Sequence, residues 1–495
     1  MAVNAALLGA LSETGAIGST VRQLAARTGQ DPVRVLTDLQ RLAEDGAALR
    51  LGRGLWVLSE FERLGEQDGF VDPAAYIERF EREDGVTLSE YRGPITFSEN
   101  TDLPVHRWWP YVQGYSAEFV RGLLDESALP PGASVLDPFC GSGTTLVEAR
   151  RAGFRAVGCE LLPPAALAAR VKTHFELDRA ELHRRALATA RSARRRRPGT
   201  PPFLRETRRQ FRPDVLEPLT QLRDALPSIA TRTGEAVRLA FGRILIPASR
   251  LRRSPCLGYG PTEKPRIDPI DAFRSAADEI VEDLALLASE RPRWGPAATV
   301  FEQDARALAL PTGSVDLAVT SPPYVNGMDY VMNYKLDLAW LGYASTYAEL
   351  SALRTAQVAC DNLARAEAAR FLTIPSDADP WLREIARSID EQLRRKRTYR
   401  RQDMHGIVLR YFADLGAVLS AVHRALRPGG RFVLVVGDSL LAGTYVPGDL
   451  LVARLGARRG FRVESVERAR TRRSGQRRSF RLRESIVTLR RVSPT

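Results

Sequence analysis

Two short segments, far apart in the chain, carry the residue types that could do chemistry. The first runs from Asp137 to Thr145 and reads Asp-Pro-Phe-Cys-Gly-Ser-Gly-Thr-Thr. The second runs from Thr320 to Tyr324 and reads Thr-Ser-Pro-Pro-Tyr. Each follows a short apolar run, so each lies where a buried parallel strand would end and its loop begin. An open α/β sheet places its ligands at that edge, and both segments are therefore candidate binding loops.

The first segment is a glycine loop that suits a nucleoside. Gly141 and Gly143 can take backbone conformations closed to other residues and let a ligand contact main-chain N–H groups. Asp137 can accept hydrogen bonds from the loop or from the amino group of a ligand. Thr144 and Thr145 then begin a helix.

A second short strand, at about 155–159, ends in the acid Glu160. This acid lies about 17 residues past Gly143, close to the spacing at which a carboxylate reaches ribose hydroxyls. Two glycines alone would predict only a turn. A ligand site is predicted here because the order is strand, glycine loop, helix, strand and acid. A dinucleotide site needs a third glycine where this loop has Thr145, which disfavours a nicotinamide enzyme.

The second segment suits the exocyclic amino group of a base. The lone pair of that group is delocalised into the ring, so an enzyme must pull the base from the duplex, stack it and polarise its amino hydrogens. The Ser321 hydroxyl and the Pro322 carbonyl can accept those hydrogens, and the two prolines, Pro322 and Pro323, hold the acceptors in place. Tyr324 offers a face for stacking. Together the two loops predict methyl transfer from S-adenosylmethionine to an amino group, with a DNA base as the favoured substrate.

On these two loops the chain resembles the bacterial DNA amino-methyltransferases that act on cytosine N4 or adenine N6. The resemblance covers about 100–175, 298–345 and 405–490. It implies an α/β fold of the Rossmann-like class I type, with S-adenosylmethionine as cofactor. It also implies catalytic roles for Ser321, Pro322, Pro323 and Tyr324.

The same resemblance implies where the cofactor is bound. Asp304 is expected to contact the adenine, and the stretch from His106 to Ser116 is expected to close over the methionine end. Glu160 stands where the family often has Asp, and its chemistry is equivalent. The complete set of expected cofactor-binding residues is Asp137, Phe139, Gly141, Gly143, Thr144, Thr145, Glu160, Asp304, Tyr115 and Ser116.

The base that is methylated depends on the first residue of the Pro-Pro-Tyr motif. Family members have Asp, Asn or Ser there, and Ser is commoner among cytosine-N4 enzymes. Ser321 therefore favours cytosine N4, with adenine N6 as the alternative. An RNA amino-methyltransferase and a non-enzymatic DNA-binding regulator also stay open. Carbon-5 cytosine transfer would need a Cys nucleophile after Pro, and Cys256 lies far upstream of the strand that ends at Thr320.

Composition agrees with a polyanionic partner, namely double-stranded DNA. The 495 residues carry a formal net charge of +13, and 44% are hydrophobic, enough for a sizeable core. Basic runs at 191–197, 249–253, 394–401 and 470–478 predict phosphate contacts. The four scattered cysteines indicate neither a zinc site nor a disulfide framework, and no metal is expected.

The same sequence predicts a cytoplasmic protein without a membrane segment. No apolar run reaches spanning length, and the N-terminus lacks a basic start before an apolar stretch. A restriction nuclease or a phage-defence protein is a possible partner.

Several units are expected along the chain. Residues 1–60 predict a winged helix-turn-helix, in which Arg34, Thr37 and Arg41 would contact DNA if it reads sequence; a protein-contact module is the alternative. The other expected parts are a linker over 61–95 with a helix at about Ala74–Glu81, the first part of the core over 96–169, a helical insertion for target recognition over 170–290, and the second part of the core over 291–495 with a basic insertion at about 345–404.

Overall fold

The structure of the chain is a computed structural model. It describes residues 5–14, 19–44, 48–51, 55–58, 73–253, 256–260, 264–358, 368–395, 401–473 and 481–492. The tip of the last basic run, at 474–478, lies outside these residues. So do Pro255, Cys360 and residues 396–400 of the basic run at 394–401.

In the N-terminal part, the described residues form three helices and three strands. The side chain of Thr20 caps the second helix in a capping box with Gln23, and Gly29 ends that helix in the left-handed conformation. The third helix buries Val35, Leu39 and Leu42 in a small core, as its spacing predicts. On its exposed side lie Arg34, Thr37 and Arg41. The elements are α1 (Ala5–Thr14), β1 (Ser19–Thr20), α2 (Val21–Thr28), α3 (Pro32–Glu44), β2 (Ala48–Leu51) and β3 (Leu55–Leu58).

The part of the chain that carries the glycine loop alternates helices and strands. Its strands are short and apolar, and β5 is buried at all four positions. Pro163 stands at the first position of its helix, where its missing N–H is not needed. The elements are α4 (Pro73–Asp84), β4 (Leu88–Glu90), α5 (Ala117–Glu126), β5 (Ser134–Asp137), α6 (Thr144–Arg151), β6 (Arg155–Cys159) and α7 (Pro163–Lys172).

A mostly helical stretch separates β6 from the next strand of the sheet. Asp178, Thr231 and Asp268 cap three of its helices through their side chains. Its apolar faces form a second core that also takes in Trp108, Trp109 and Trp340. The elements are α8 (Arg179–Arg195), α9 (Thr207–Gln210), α10 (Pro213–Ala225), α11 (Arg232–Ala248), β7 (Leu251–Arg253), β8 (Leu257–Tyr259) and α12 (Pro269–Leu287).

The remaining elements complete the sheet and cover it. Two short helices follow the Ser-Pro-Pro-Tyr loop, and a long helix leads into the central strand β11. The elements are β9 (Thr299–Phe301), β10 (Val315–Thr320), α13 (Tyr330–Asn333), α14 (Lys335–Trp340), α15 (Tyr347–Ala356), α16 (Pro380–Arg395), α17 (Met404–Ala425), β11 (Leu426–Gly437), β12 (Ser439–Leu441), β13 (Thr444–Val446), α18 (Gly448–Ala457), β14 (Phe461–Arg473) and β15 (Arg481–Arg491).

Among the described residues the central sheet has eight strands in the order β4-β14-β15-β11-β10-β5-β6-β9. The strands from β11 to β9 are parallel to one another, and β15 is antiparallel to both of its neighbours. The Rossmann-like class I fold and its late antiparallel hairpin are thereby confirmed. Leu317 pairs with Val135 and Ala318 with Leu136, so β5 and β10 end side by side and their two loops leave the sheet together.

Residues 73–90 contain the helix expected at about 74–81, but they pack into the main core and the sheet and do not form a linker. Helix α4 buries Tyr76 and Phe80 in the main core, where both rings lie against Trp381. Strand β4 pairs with β14 and forms one edge of the sheet. The segment looks like a linker in the sequence because β4 is short and polar, and because its pairing partner lies far away in the chain.

One described helix, α17 (Met404–Ala425), is long and apolar enough to cross a membrane by length and composition. The expectation that no apolar run reaches that length is wrong at this place. In the structure 78% of its most apolar window is buried inside the protein. Its apolar surface is covered by the main core, where Ile407, Leu415 and Val422 are buried.

Candidate active site

The carboxylate of Asp137 joins the two candidate loops. It accepts hydrogen bonds from Thr145 Oγ1 at 2.7 Å and from the Phe139 N–H at 3.1 Å, both in the glycine loop. It also accepts one from Thr320 Oγ1 at 2.7 Å, at the end of β10. Tyr115 Oη donates the fourth, at 2.8 Å. Burial raises the pKa of Asp137 above its ordinary value, although the side-chain donors act in the opposite direction.

The glycine loop needs both of its glycines for shape. Gly141 has φ +51° and Gly143 has φ +89°, in the left-handed region. A Cβ on Gly141 would come within 2.9 Å of the Tyr111 ring, and one on Gly143 within 3.0 Å of the Ala169 Cα. The loop is therefore closely covered by an aromatic ring on one side and by helix α7 on the other.

Glu160 lies directly after β6 and faces the glycine loop. Its carboxylate accepts the N–H of Gly141 at 2.9 Å and the N–H of Leu162 at 2.7 Å. Burial raises its pKa to about 7, and the two N–H donors only partly offset this. The carboxylate therefore holds the loop in shape and still keeps lone pairs for a further donor.

A cleft of about 930 Å³ lies between the loops. Nine of the residues predicted from the sequence line it, and they are Tyr115, Asp137, Phe139, Gly141, Thr144, Glu160, Asp304, Ser321 and Pro323. Two further lining residues, Ser142 and Gln303, have a buried side-chain atom without a hydrogen-bond partner, namely Ser142 Oγ and Gln303 Nε2. Carboxylates, unpartnered polar groups, exposed backbone and apolar rings in one cleft fit S-adenosylmethionine, which has an amino acid, a ribose and a base to be held.

Asp304 lines this cleft, and the resemblance implies that it contacts the cofactor adenine. Its carboxylate caps a short 3₁₀ turn through the Arg306 N–H at 2.9 Å and is paired with the Arg306 guanidinium at 2.6 Å. That guanidinium also reaches the Asp414 carboxylate at 2.8 Å and the Ala356 carbonyl at 2.7 Å. Arg306 thus fixes the orientation of Asp304 relative to the cleft.

The Ser-Pro-Pro-Tyr loop lies partly in the cleft lining and partly outside it. Ser321 and Pro323 line the cleft, whereas Pro322 is buried and Tyr324 lies outside the lining. The Tyr324 ring packs on Gly437 at the end of β11, since a Cβ there would meet the ring at 2.6 Å. Burial raises the pKa of the Tyr324 hydroxyl well above its ordinary value, and a hydrogen bond with Ser321 acts the other way.

Arg472 covers Tyr324 from the end of β14. Its guanidinium lies 5.3 Å from the centre of the Tyr324 ring, within the range of a cation–π contact. It also donates a hydrogen bond of 2.5 Å to the Asp438 carbonyl, at the end of β11. The ring is thereby held between Gly437 of β11 and Arg472 of β14, the two strands on either side of β15.

A buried cluster of charged residues lies at the end of β11. Arg483 is shared by two carboxylates, Asp449 at 3.0 Å and Asp438 at 3.2 Å, and Tyr445 also donates to Asp438. Burial and the neighbouring Asp449 raise the pKa of Asp438 well above its ordinary value. Asp449 is also buried, but Arg483 and Ser485 hold its pKa below the ordinary value. The pKa values of the two acids are thus displaced in opposite directions, and the cluster supports the end of β11.

The stretch from His106 to Ser116 is held down by other parts of the chain. Asp283 of α12 accepts the Val105 N–H at 2.9 Å, the Trp108 indole N–H at 2.8 Å and the Arg107 guanidinium at 2.5 Å. Lys172 of α7 donates to two carbonyls of the same stretch, those of His106 and Trp109, each at 2.9 Å. We call residues 105–116 the strap.

Two residues of the strap have strained backbone angles, and the contacts with Asp283 and Lys172 hold the strap in that shape. Val105 is β-branched and has φ +70°, and Gln113 has φ +65°. Tyr115 lines the cleft as expected, but Ser116 does not. Its hydroxyl accepts the Phe119 N–H at 3.0 Å and caps helix α5. Among the predicted residues Gly143 and Thr145 also lie behind the lining, where Thr145 contacts Asp137.

Several lining residues were not singled out from the sequence. Tyr111 stacks with Tyr330 at 6.2 Å and with Tyr334 at 5.8 Å between ring centres, and Tyr334 stacks in turn with Trp109. Tyr111 falls inside the stretch expected to close over the cofactor, so its position was a usable signal. Tyr330 and Gln303 carry no such signal, because isolated aromatic and amide residues in loops are common.

Comparisons with known proteins agree with this site. A family model described as DNA methylase, for N6 and N4 enzymes, matches residues 110–169, which hold the glycine loop and Glu160. The Type II methyltransferase M.BsoBI of Geobacillus stearothermophilus is 24% identical over 417 residues, covering 74% of this chain and 81% of that protein. The Type II methyltransferase M.AvaI of Nostoc sp. is 23% identical over 445 residues, covering 81% and 89%.

Among solved structures, a SAM-dependent methyltransferase from Methanosarcina mazei has 9% identity and a TM-score of 0.27, covering 75% of this chain and 98% of that one. A superposition at this score supports no conclusion, and the fold assignment follows from the strand order. The matched segment and the two relatives show that the chain is similar to the DNA amino-methyltransferases that act on cytosine N4 or adenine N6, and they support an S-adenosylmethionine-dependent DNA methyltransferase.

Proposed function

We propose that the chain methylates the N4 amino group of a cytosine that is flipped out of duplex DNA at a specific sequence. The single observation that carries this proposal is the hydrogen bond between Thr320 and Asp137. It ties the Ser-Pro-Pro-Tyr loop to the loop that binds the cofactor, so an amino group on Ser321 and a methyl donor in the cleft would meet. When bound, S-adenosylmethionine supplies a methyl group already activated by its sulfonium.

The cofactor would be held by groups that line the cleft. Glu160 accepts the ribose hydroxyls, since its carboxylate keeps lone pairs beyond those used by Gly141 and Leu162. Asp304, oriented by Arg306, contacts the adenine amino group. The strap residue Tyr115 and the unpartnered Ser142 hydroxyl face the methionine end.

The base would be held by the Ser-Pro-Pro-Tyr loop. The Ser321 hydroxyl and the Pro322 carbonyl accept the two amino hydrogens, which directs the nitrogen lone pair out of conjugation. Pro323 separates these acceptors from Tyr324, whose ring stacks on the base. Because Tyr324 lies behind the lining in the present structure, we propose that its ring turns toward the cleft when the base arrives. The leaving proton passes to solvent or to Ser321.

Cytosine is preferred over adenine on the strength of Ser321. In the enzymes that the chain resembles, serine at this place of the motif is commoner among cytosine-N4 enzymes and aspartate among adenine-N6 enzymes. Supporting features for DNA as the substrate are the net charge of +13 and the exposed Arg34, Thr37 and Arg41 on α3. The region 170–290 is the proposed target-recognition insertion.

The relatives' names also support a biological setting. Both M.BsoBI and M.AvaI are Type II methyltransferases, and we extend that role to this chain. It would methylate a short DNA sequence as the protective half of a restriction–modification or phage-defence pair. The expected partner is then a nuclease that cuts the same sequence unmethylated.

Two substitutions test the proposed roles. Ser321→Ala and Tyr324→Ala should each lower the single-turnover rate of methyl transfer to DNA at least 100-fold and leave cofactor affinity within about threefold. Ser314→Ala is the matched control, because Ser314 lies beyond the opposite end of β10 and bonds only the Pro311 carbonyl. Methyl transfer at wild-type rates in both variants would overturn the assigned roles.

A further inference from the structure

Arg472, near the end of β14, brings a positive charge to the Ser-Pro-Pro-Tyr loop. Its guanidinium lies 5.3 Å from the centre of the Tyr324 ring and donates to the Asp438 carbonyl. Arg470, two residues earlier, is instead paired with the Glu484 carboxylate at 2.9 Å. Within the part of the chain that the structure describes, Arg472 has no carboxylate partner. Its charge is therefore available to a ligand.

One donor of this guanidinium is buried and unused. Among the described residues, the Nε atom of Arg472 has no hydrogen-bond partner. The side chain as a whole is half-buried, and the Tyr324 ring lies against its guanidinium. A buried donor without an acceptor is unfavourable. If the Tyr324 ring turns toward the cleft, as proposed for base binding, this donor is opened to the base.

The order of the strands decides on which side of the amino group the base ring has room. Asp137 at the end of β5 and Glu160 after β6 line the cofactor cleft. Ser321 follows β10, which is the neighbour of β5, and β11, β15 and β14 lie beyond it. The cofactor takes the β5 side of Ser321, so the base ring extends toward β11 and β14. Arg472 lies on that side.

Strand β11 carries this side of the site past the end of β10. Thr320, the last residue of β10, pairs with Leu434, and β11 continues for three more residues to Gly437. The Tyr324 ring and Arg472 both approach Gly437, since a Cβ there would lie 2.6 Å from the ring and 3.1 Å from Arg472 Nη2. The guanidinium is therefore level with the loop that holds the amino group.

The edge of cytosine that lies beyond its amino group matches a guanidinium. This edge carries two acceptors, N3 and O2, and an arginine side chain has only donors. Adenine carries N1 beside its amino group and then a C–H where cytosine has O2. Enzymes that flip a base read its Watson–Crick edge through hydrogen bonds, and a base that leaves a buried donor unpaired is rejected. An arginine at the O2 position therefore selects cytosine over adenine.

We propose that Arg472 determines base specificity by donating a hydrogen bond to O2 of the flipped cytosine. This rests on the proposed function, and it names a group that selects the base. The hydrogen bond to the Asp438 carbonyl keeps the guanidinium in place while the Tyr324 ring turns. The role differs from the phosphate contact that the sequence predicts for the run at 470–478, because Arg472 lies at the loop that holds the amino group.

A base with a weaker acceptor tests the inference. The substrate is a synthetic duplex with one site at which the wild type forms N4-methylcytosine, and a second duplex has 2-thiocytosine at that position. Sulfur replaces O2 there and is a weak acceptor. The wild-type single-turnover rate should fall about 10- to 100-fold on the thio duplex. Equal wild-type rates on the two duplexes would overturn the inference, and this comparison needs no variant.

Arg472→Met separates base recognition from structural support. It keeps an unbranched apolar side chain and removes every donor. On the ordinary duplex this variant should be about 10- to 100-fold slower than the wild type, with unchanged cofactor affinity. The thio base should slow it by at most about threefold further, because the contact is already lost.

Arg462→Met is the matched control, because Arg462 lies on the same strand with a side chain that is 67% exposed. It should show the wild-type rate on the ordinary duplex and the full loss on the thio duplex. A loss on the thio duplex that is as large in Arg472→Met as in the control would mean that Arg472 only supports the Tyr324 ring. The inference would then be wrong.

Other outcomes separate this role from its alternatives. If Arg472→Met weakens DNA binding but methylates bound DNA at the wild-type rate, Arg472 contacts a phosphate and the inference is wrong. If the wild type forms N6-methyladenine or no methylated base, the proposed function fails before the duplexes are compared, and the inference fails with it. Formation of N4-methylcytosine with equal rates on the two duplexes would leave the proposed function standing and remove the inference alone.

Discussion

The hydroxyl of Thr320 donates a 2.7 Å hydrogen bond to the carboxylate of Asp137, although 183 residues separate them in the chain. The bond joins the last residue of β10 to the last residue of β5, directly beside the two loops. A methyltransferase has to bring a methyl donor and an acceptor together with small tolerance, since a misplacement of about 1 Å lowers rates severely. This contact fixes the relative positions of the two halves of the site.

Removing that bond should affect transfer more than cofactor binding. Thr320→Val keeps the shape of the side chain and removes the donor, so the buried Asp137 loses one of its partners. We expect the free energy of unfolding to fall by about 1–3 kcal/mol. The transfer rate should fall more than cofactor affinity does, because Ser321 is the next residue. Denaturant unfolding and single-turnover assays measure the two effects.

Thr355→Val is the control for this change. The Thr355 hydroxyl is exposed and bonds only the Ser351 carbonyl of its own helix. An unfolding free energy of Thr320→Val equal to that of the control would contradict the structural role of the bond.

The conformation of Gly143 gives a prediction that separates two causes of damage. Gly143→Ala places a methyl group at φ +89° and within 3.0 Å of the Ala169 Cα, whereas Gly132→Ala places one at φ +74° with nothing within 4 Å. The Gly132 variant should lose about 1–2 kcal/mol of stability, the cost of a left-handed backbone conformation alone. The Gly143 variant should lose about 1–3 kcal/mol more and bind cofactor at least tenfold less tightly. Equal losses in calorimetric stability would show that helix α7 yields at this contact.

Glu160 should make stability depend on pH in an unusual direction. Its pKa in the folded protein is about 7, against an ordinary value of 4.5. Between these values the folded chain holds a proton that the unfolded chain releases, so this group makes stability fall as pH rises from 4.5 to 7. Glu160→Gln cannot titrate, and its stability should therefore fall less over the same window. An equal change in unfolding free energy between pH 5 and pH 7.5 in the two proteins would contradict the raised pKa of Glu160.

Cofactor affinity should follow the opposite trend. Ribose hydroxyls donate to the charged carboxylate, so binding should strengthen as pH rises through about 7 in the wild type. In Glu160→Gln the affinity should be weaker and nearly independent of pH. Equilibrium dialysis with labelled S-adenosylmethionine at several pH values measures both.

The hydrogen bonds between Asp283 and the strap should help to position the cofactor. Asp283→Asn keeps the size of the side chain but weakens its bonds to Val105, Arg107 and Trp108. We expect a loss of about 1.5–3 kcal/mol in stability, and at least a tenfold loss in cofactor affinity because Tyr111 and Tyr115 lie in the strap. Asp278→Asn, at an exposed site on the same helix, is the control. Cofactor affinity equal in the two variants would mean that the strap holds its shape without Asp283.

Much of the site could be predicted because the signals were local. Asp137, Gly141 and Glu160 lie at strand ends or in a loop between regular elements, and their spacing alone indicates a nucleoside site. Thr20 as a helix cap is predictable for the same reason. The contacts of Asp283 with the strap are not predictable from spacing, since 175 to 178 residues separate the partners.

The parts that differed from expectation depend on long-range packing. Strand β4 has three residues of mixed polarity, and only its pairing with Val466 and Arg468 identifies it as a strand. Ser116 was expected at the cofactor, but the need of α5 for an N-cap places its hydroxyl against Phe119. The packing of Tyr324 on Gly437, under Arg472, likewise follows from β11 and β14, whose order in the sheet no local pattern reveals.

The most direct test of the central claim is mass spectrometry of nucleosides from DNA incubated with the protein and S-adenosylmethionine, with RNA treated in parallel. The account predicts N4-methylcytosine in DNA and no label in RNA. N6-methyladenine would keep the two-loop site and contradict the proposed base. Label in RNA alone, or no label in any nucleic acid although the cofactor is bound, would contradict the proposal that this chain by itself methylates DNA.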